Sequence, residues 1–221
     1  MNTGDRRPLR IAILGAESTG KTQLAQSLVT ALQGKGLQAT WIPEALRDWC
    51  DAMGRTPRRE EQLAIAQTQA QRVASATTPL VIADTSPLIT AIYSDHLWGD
   101  TSLYPYALER HRDYGLTLLT GLDLQWVPDG IQRDSASARM QVDARLRGVL
   151  QHNTIAHTLV YGSGAERTQS ALQAIEHALR FAGSASVPSS GWHWSCDTCS
   201  DADCEHRLFR KLVPENTSVG V

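Results

Sequence analysis

The residues best suited to chemistry lie near the start of the chain, in "GAESTGKT", Gly15 to Thr22. Gly15, Gly20, Lys21 and Thr22 satisfy the spacing G-x-x-x-x-G-K-[ST], in which glycines let backbone N–H groups turn inward around phosphate oxygens. Lys21 would reach the terminal phosphates of a nucleotide and the Thr22 hydroxyl a magnesium ion. Glu17, Ser18 and Thr19 would complete the wrapping loop. The apolar run Leu9 to Leu14 precedes this stretch and a helix-forming segment follows it, the context the spacing requires. Asp84 closes another apolar run, Leu80 to Ala83. Its carboxylate is therefore expected at the same edge of a parallel sheet, where it would share the magnesium with Thr22 or accept a proton. Asp84 and Thr85 would otherwise serve to cap the next helix.

A second cluster lies near the end of the chain. "HWSCDTCSDADCEH" offers His193, Cys196, Cys199, Cys204 and His206. The C-x₂-C pair aims two thiolates at one ion from a tight turn, and four of these five side chains would close a structural, tetrahedral zinc site. A reduced tail and a redox-active Cys196–Cys199 pair are the competing readings of the same residues.

These groups need elements to bring them together. The chain has 221 residues, 42% of them hydrophobic, and a formal net charge of -2. That charge gives no sign of a nucleic-acid partner, and no apolar run reaches membrane-spanning length. Close-set thiols fit a reducing compartment, so a cytoplasmic protein is expected. Short apolar runs at Leu9 to Leu14, Leu37 to Ile42, Leu80 to Ala83, Leu116 to Leu119 and Thr158 to Tyr161 read as strands. Thr22 to Gln33, Arg58 to Ala76, Ser137 to Gln151 and Glu166 to Phe181 read as helices. The alternation predicts an α/β domain over residues 1–182, with a parallel sheet covered on both faces. "GSASVPSSG", residues 183–191, reads as a linker, and residues 192–221 as a small cysteine-rich unit.

Four blocks in order carry a family resemblance: "GAESTGKT", "WIPEALRDW", "VIADTSPLITAIYSDHLWG" and "YGLTLLTGLDLQWVPDGIQR". Together they resemble the ribosylnicotinamide kinase domain of bifunctional NAD-biosynthesis regulators, within the AAA-type group of P-loop ATPases and kinases. The likeness runs from about Leu9 to Phe181. It implies a P-loop NTPase fold, here followed by the small C-terminal metal-binding segment. It also implies ATP and Mg²⁺ as ligands and a small-molecule nucleoside acceptor. The reaction implied is phosphorylation of nicotinamide riboside to its mononucleotide; the alternative is an ATPase acting as a regulatory switch. The family's acceptor-site block falls on Pro43, Glu44 and Arg47, and its Asp-Thr pair on Asp84 and Thr85. Its later block falls on Trp126, Asp129, Gly130 and Arg133. Pro128 stands where many members carry an acidic residue. The adenylyltransferase and DNA-binding parts of the bifunctional members have no counterpart in this sequence.

Side-chain chemistry is compatible with those roles. Trp126 offers a flat face, and a cationic pyridinium over it would gain roughly 1 kcal/mol or more. It could equally be packing within its loop. Glu44 or Asp129 can accept hydrogen bonds from ribose hydroxyls. Arg133, and less surely Arg139, can offset charge on a transferring phosphoryl group, Arg139 being alternatively a solvated helix charge.

The terminal cluster yields the first prediction. Protein purified without chelator should contain about one zinc per chain, because the ligand set suits one tetrahedral site. Elemental analysis checks it, and metal-free protein with all three terminal thiols reactive would rule the site out.

Overall fold

A computed structural model describes residues 7–126 and 136–182. Residues 183–191 and 192–221, the expected linker and zinc unit with His193, Cys196, Cys199, Cys204 and His206, lie outside the described residues, as do Asp129, Gly130 and Arg133. The chain divides into two units between Phe181 and Ala182, and the sheet belongs to the first. Its strands are β1 (Leu9–Leu14), β2 (Ala39–Ile42), β3 (Leu80–Asp84), β4 (Leu116–Thr120) and β5 (Thr158–Val160), all parallel in the order β2-β3-β1-β4-β5. The helices are α1 (Lys21–Gly34), α2 (Ala45–Met53), α3 (Gln62–Ser75), α4 (Pro87–Trp98), α5 (Tyr104–His111), α6 (Ala136–His152) and α7 (Gly164–Ala182).

Alternation along the strands builds two cores. Ile11, Ile13, Leu80, Ile82 and Leu118 pack with Leu24, Leu28 and Leu32 of α1 and with Leu172 and Ile175 of α7. Ala12, Leu14 and Leu119 point the other way, onto α4, α5 and α6, while Val81 and Ala83 meet Val73 of α3. Ile11, Ile82, Leu28 and Leu118 are wholly buried, and each such side chain contributes roughly 1.5–3 kcal/mol. The expected α/β sheet covered on both faces is present.

Three helices were not anticipated from the pattern: α2, α4 and α5. In α4 every residue from Pro87 to Ser94 is buried, so no polar stripe marks its period. Its ends were nonetheless signalled. The Ser86 hydroxyl caps it by accepting from Leu88 N–H at 3.2 Å, Pro87 opens it, and Gly99 closes it with a φ of 64°. The expected single helix from Arg58 to Ala76 is shorter, its first turn being a tight 3-10 turn at Arg59–Glu61.

His111 ties three elements together from the end of α5. It is buried, with Nδ1 3.1 Å from Ser86 Oγ and Nε2 3.0 Å from Thr117 Oγ1. Burial lowers its pKa to about 4, whereas an imidazole in the unfolded chain titrates near 6.5. The unfolded state therefore binds the proton first, and stability present at neutral pH is lost as the pH falls from about 6.5 toward 4. At about pH 5 the loss should be on the order of 2 kcal/mol. Thermal melts across that range should show a steeper acid loss in the native protein than in His111→Gln; parallel curves would refute the assignment.

Candidate functional site

All five strands run the same way, so their C-terminal ends share one edge, and the glycine loop Gly15 to Thr22 and Asp84 meet there. The central strand β1 runs into the glycine loop. Its register sets Ile13 beside Asp84 and Leu14 beside Leu119. The last residue of β3 and the end of β4 thus stand on either side of the loop.

The loop turns through backbone conformations that glycine permits. Gly15 has a φ of 155°, and a Cβ there would lie 1.9 Å from Thr120 Oγ1 and 2.9 Å from Thr19 Oγ1. Gly20 has a φ of 71°, and a Cβ there would meet Leu124 Cδ1 at 2.9 Å. Ser18, at a φ of 53°, takes a left-handed conformation without being glycine. The loop is propped from inside. Thr19 Oγ1 donates to Ala16 O at 2.7 Å, and Thr120 Oγ1 lies 2.8 Å from Thr19 Oγ1. Thr19, expected to wrap the nucleotide, thus spends its side chain on the loop itself. Glu17 likewise faces away along α4, where Tyr93 OH donates to its Oε2 at 2.6 Å. Lys21 arches over the loop and donates from Nζ to Ala16 O at 2.8 Å.

Lys21 and Thr22 open α1, whose first N–H groups have no side-chain cap. That terminus carries the partial positive charge of the helix and suits an anion. Thr22 Oγ1 donates to Asp84 Oδ2 at 2.5 Å, while Asp84 Oδ1 is buried with no hydrogen-bond partner among the described residues. Asp84 is 1% exposed. An unpartnered buried carboxylate oxygen beside a hydroxyl fits a divalent cation, since Mg²⁺ takes one or two protein oxygens and completes its shell with water and phosphate. Thr85 follows at a φ of 79°, a costly conformation for a β-branched residue. Among the described residues no group of three or more His, Cys, Asp or Glu could hold a metal.

The remaining expected residues are more spread out. Glu44 begins α2 just past β2, half-buried, with Oε2 4.0 Å from Arg47 Nε. The register pairs Ile42 with Ala83. Glu44 therefore shares the sheet edge with Asp84 but stands two strands from β1, roughly 10 Å at ordinary strand spacing. Trp126 is half-buried beyond β4. Arg139 is 5% exposed, so it is not a solvated charge. Its Nη1 donates to Leu124 O at 2.9 Å, and its Nε and Nη2 have no partner among the described residues.

Three contributors carried no motif. Thr120 braces the loop, and Arg167 of α7 donates from Nη2 to Thr19 O at 2.6 Å. The third is a pocket of about 370 Å³ lined by Gly20, Gln23, Leu24, Leu124, Gly164 and Arg167. Only the apolar and β-terminal position of Thr120 could have flagged it.

The AAA domain family model matches residues 10–167. Among solved structures, the chain is similar to a NadR protein in complex with NR, with a TM-score of 0.65, 18% identity, and coverage of 83% of this chain and 54% of that one. A NadR protein in complex with NAD and AMP-PNP matches with a TM-score of 0.61 and 18% identity, over 83% of this chain and 52% of that one. Thymidylate kinase from Ehrlichia chaffeensis matches with a TM-score of 0.56 and 14% identity, over 78% of this chain and 99% of that one. The chain spans about half the length of the NadR chains. At these identities the likeness is one of fold. No curated protein sequence matches.

The brace at Gly15 is testable by itself. Gly15→Ala should cost about 1–3 kcal/mol by forcing Thr120 aside. Removing the obstacle in Gly15→Ala/Thr120→Ala should recover part of that loss, so the two changes should be non-additive in denaturant melts. Strict additivity would show that the contact does not limit the loop.

Proposed function

The chain belongs to the AAA domain family, and from that premise we propose that it transfers the γ-phosphoryl group of ATP to a nucleoside hydroxyl, the acceptor being nicotinamide riboside. The observation that carries the reading is the junction of Lys21, Thr22 and Asp84, with a buried carboxylate oxygen left unpartnered beside an uncapped helix start. Thr22 and Asp84 would hold Mg²⁺, which supplies charge neutralisation at the β- and γ-phosphates when bound. Gly15 and Gly20 let the loop close on the phosphates, and Lys21 swings from Ala16 O onto them. The pocket beside Gly20 takes the base.

The acceptor enters from the β2 side. Its hydroxyl oxygen forms the new bond to the γ-phosphorus, the bond to the β-bridging oxygen breaks, and ADP leaves. The hydroxyl proton passes to a carboxylate. We assign Glu44 to this, because Asp84 is committed to Thr22. Arg47, Trp126 and Asp129 are assigned to the acceptor and Arg133 to the transferring group, on the resemblance of their blocks. Arg139, buried and only singly partnered, joins Arg133. The NadR structures in complex with NR and with AMP-PNP support the choice of acceptor and donor through their shared fold. Among the described residues no helix is long and apolar enough to cross a membrane, and a small-molecule acceptor needs none.

A nucleoside screen with ATP–Mg²⁺, read as ADP release and phosphorylated product, tests the proposal. Nicotinamide riboside should give its 5′-phosphate. Lys21→Ala and Asp84→Ala should each reduce transfer by about 10²-fold or more, with circular dichroism unchanged. Product from another nucleoside alone would replace the acceptor. ATP hydrolysis indifferent to every nucleoside would replace the kinase with a regulatory ATPase.

A further inference from the structure

Arg167 sits early in α7 yet spends its guanidinium on the phosphate loop. The residue is 4% exposed. Nη2 donates to Thr19 O at 2.6 Å and Nη1 to Gly162 O at 3.4 Å, while Nε is buried without a partner among the described residues. A Cβ on Gly20 would lie 3.5 Å from Nη1, so the guanidinium lies against the loop as well as bonding to it. The loop after β5 is fixed in turn, since Gly162 N–H donates to Asp123 Oδ2 at 2.6 Å.

The peptide linking Thr19 to Gly20 is trans and planar. Its carbonyl and its N–H therefore point in opposite directions. Holding the Thr19 carbonyl toward Arg167 turns the Gly20 N–H away from Arg167, where it can serve a phosphate oxygen.

We infer that Arg167 is a positioning residue, which orients the Gly20 amide by pinning the Thr19 carbonyl and so sets affinity for the nucleotide's phosphate chain more than for its base. The inference rests on the phosphate-loop reading above. It goes beyond it in assigning a role to a side chain from the far end of the sheet that no loop motif includes. A lysine offers a compact, rotating ammonium in place of the planar fork and would fix the direction of the Thr19 carbonyl less firmly.

The test compares ATP and AMP binding with Mg²⁺ by titration calorimetry in the full chain, for the wild type, Arg167→Ala and Arg167→Lys. AMP shares the base and one phosphate with ATP but lacks the phosphates at which the loop amides aim. The ratio of ATP to AMP affinity should fall tenfold or more in Arg167→Ala and recover in part in Arg167→Lys; because Arg167 also lines the pocket beside Gly20, any loss of contact with the base falls on both nucleotides and cancels in the ratio. These expectations follow from losing one well-aimed, charge-directed amide. An unchanged ratio, or equal losses for both nucleotides, overturns the inference, since a merely structural arginine would weaken the two alike. Should Arg167→Ala fail to fold, Arg167→Gln, too short to reach Thr19 O, reads the same ratio. A wild-type protein that binds no ATP would sink the phosphate-loop reading itself. ATP binding with a ratio insensitive to Arg167 sinks this inference alone.

Discussion

Asp84 is the constraint around which the site is arranged. A carboxylate 1% exposed, with Thr22 on one oxygen and, among the described residues, no partner on the other, is costly to bury in a folded chain. The cost is tolerated because of where the residue sits. β3 delivers it level with Ile13 of the central strand, beside the start of α1, whose uncapped N–H groups favour negative charge. The strain does not stop there. Thr85 adopts a positive φ while its N–H donates to Ile13 O at 3.1 Å, and Ser86 then caps α4. Three consecutive residues thus serve a cation-ready oxygen, a strained turn and a helix start. Strain of this kind persists only where the surroundings over-determine it. Here the fully buried β3 and the fully buried first half of α4 supply that rigidity.

The loop follows the same logic. Its glycines make the backbone path possible, but the path is selected by contacts from elsewhere. Thr120 comes from β4, Arg167 from α7 and Tyr93 from α4. Together they engage three groups on two loop residues: the Thr19 hydroxyl, the Thr19 carbonyl and the Glu17 carboxylate. A phosphate loop is often read as a self-contained motif. In this chain it is a strand-to-helix turn clamped on three sides by the rest of the domain, which is why its geometry survives a left-handed serine at position 18.

Sequence carried the parts that local rules govern. Five strands, the helices at α1, α6 and α7, and the juxtaposition of Lys21, Thr22 and Asp84 follow from short apolar runs and one spacing. Strand ends moved by a residue or two, as at β5, which stops at Val160. What stayed illegible has two physical causes. The unforeseen α4 is buried on every side, so periodicity carries no signal, and only its Ser86, Pro87 and Gly99 punctuation was available. The helices α2 and α5 are short, and their amphipathic patterns span too few turns to stand out. Long-range braces were invisible for a different reason: nothing near Thr120 or Arg167 in sequence announces a partner at Thr19. Arg139 shows the limit from the other side. Its sequence context suits a solvated helix charge equally well, and only its burial separates the two.

The cations around the site differ in kind from those elsewhere in the domain. Away from the site, arginines are matched with carboxylates: Arg55 with Glu61, Arg59 with Asp100, Arg147 with Asp143. At the loop, Lys21, Arg139 and Arg167 are each held by a backbone carbonyl, from Ala16, Leu124 and Thr19. Among the described residues none of the three is hydrogen-bonded to a carboxylate. A carbonyl satisfies a donor and fixes its direction without cancelling its charge. Desolvation opposes such an arrangement, and it pulls the Arg167 pKa downward against the nearby Asp123. An arginine nevertheless stays protonated, so the field is not relieved by losing a proton. Cations held by carbonyls in a partly desolvated turn attract polyanions more strongly than cations hydrogen-bonded to carboxylates would. The acidic groups of the same region are each engaged, Glu17 by Tyr93 of α4 and Asp84 by Thr22, and the second oxygen of Asp84 suits a cation that would bridge it to a phosphate chain.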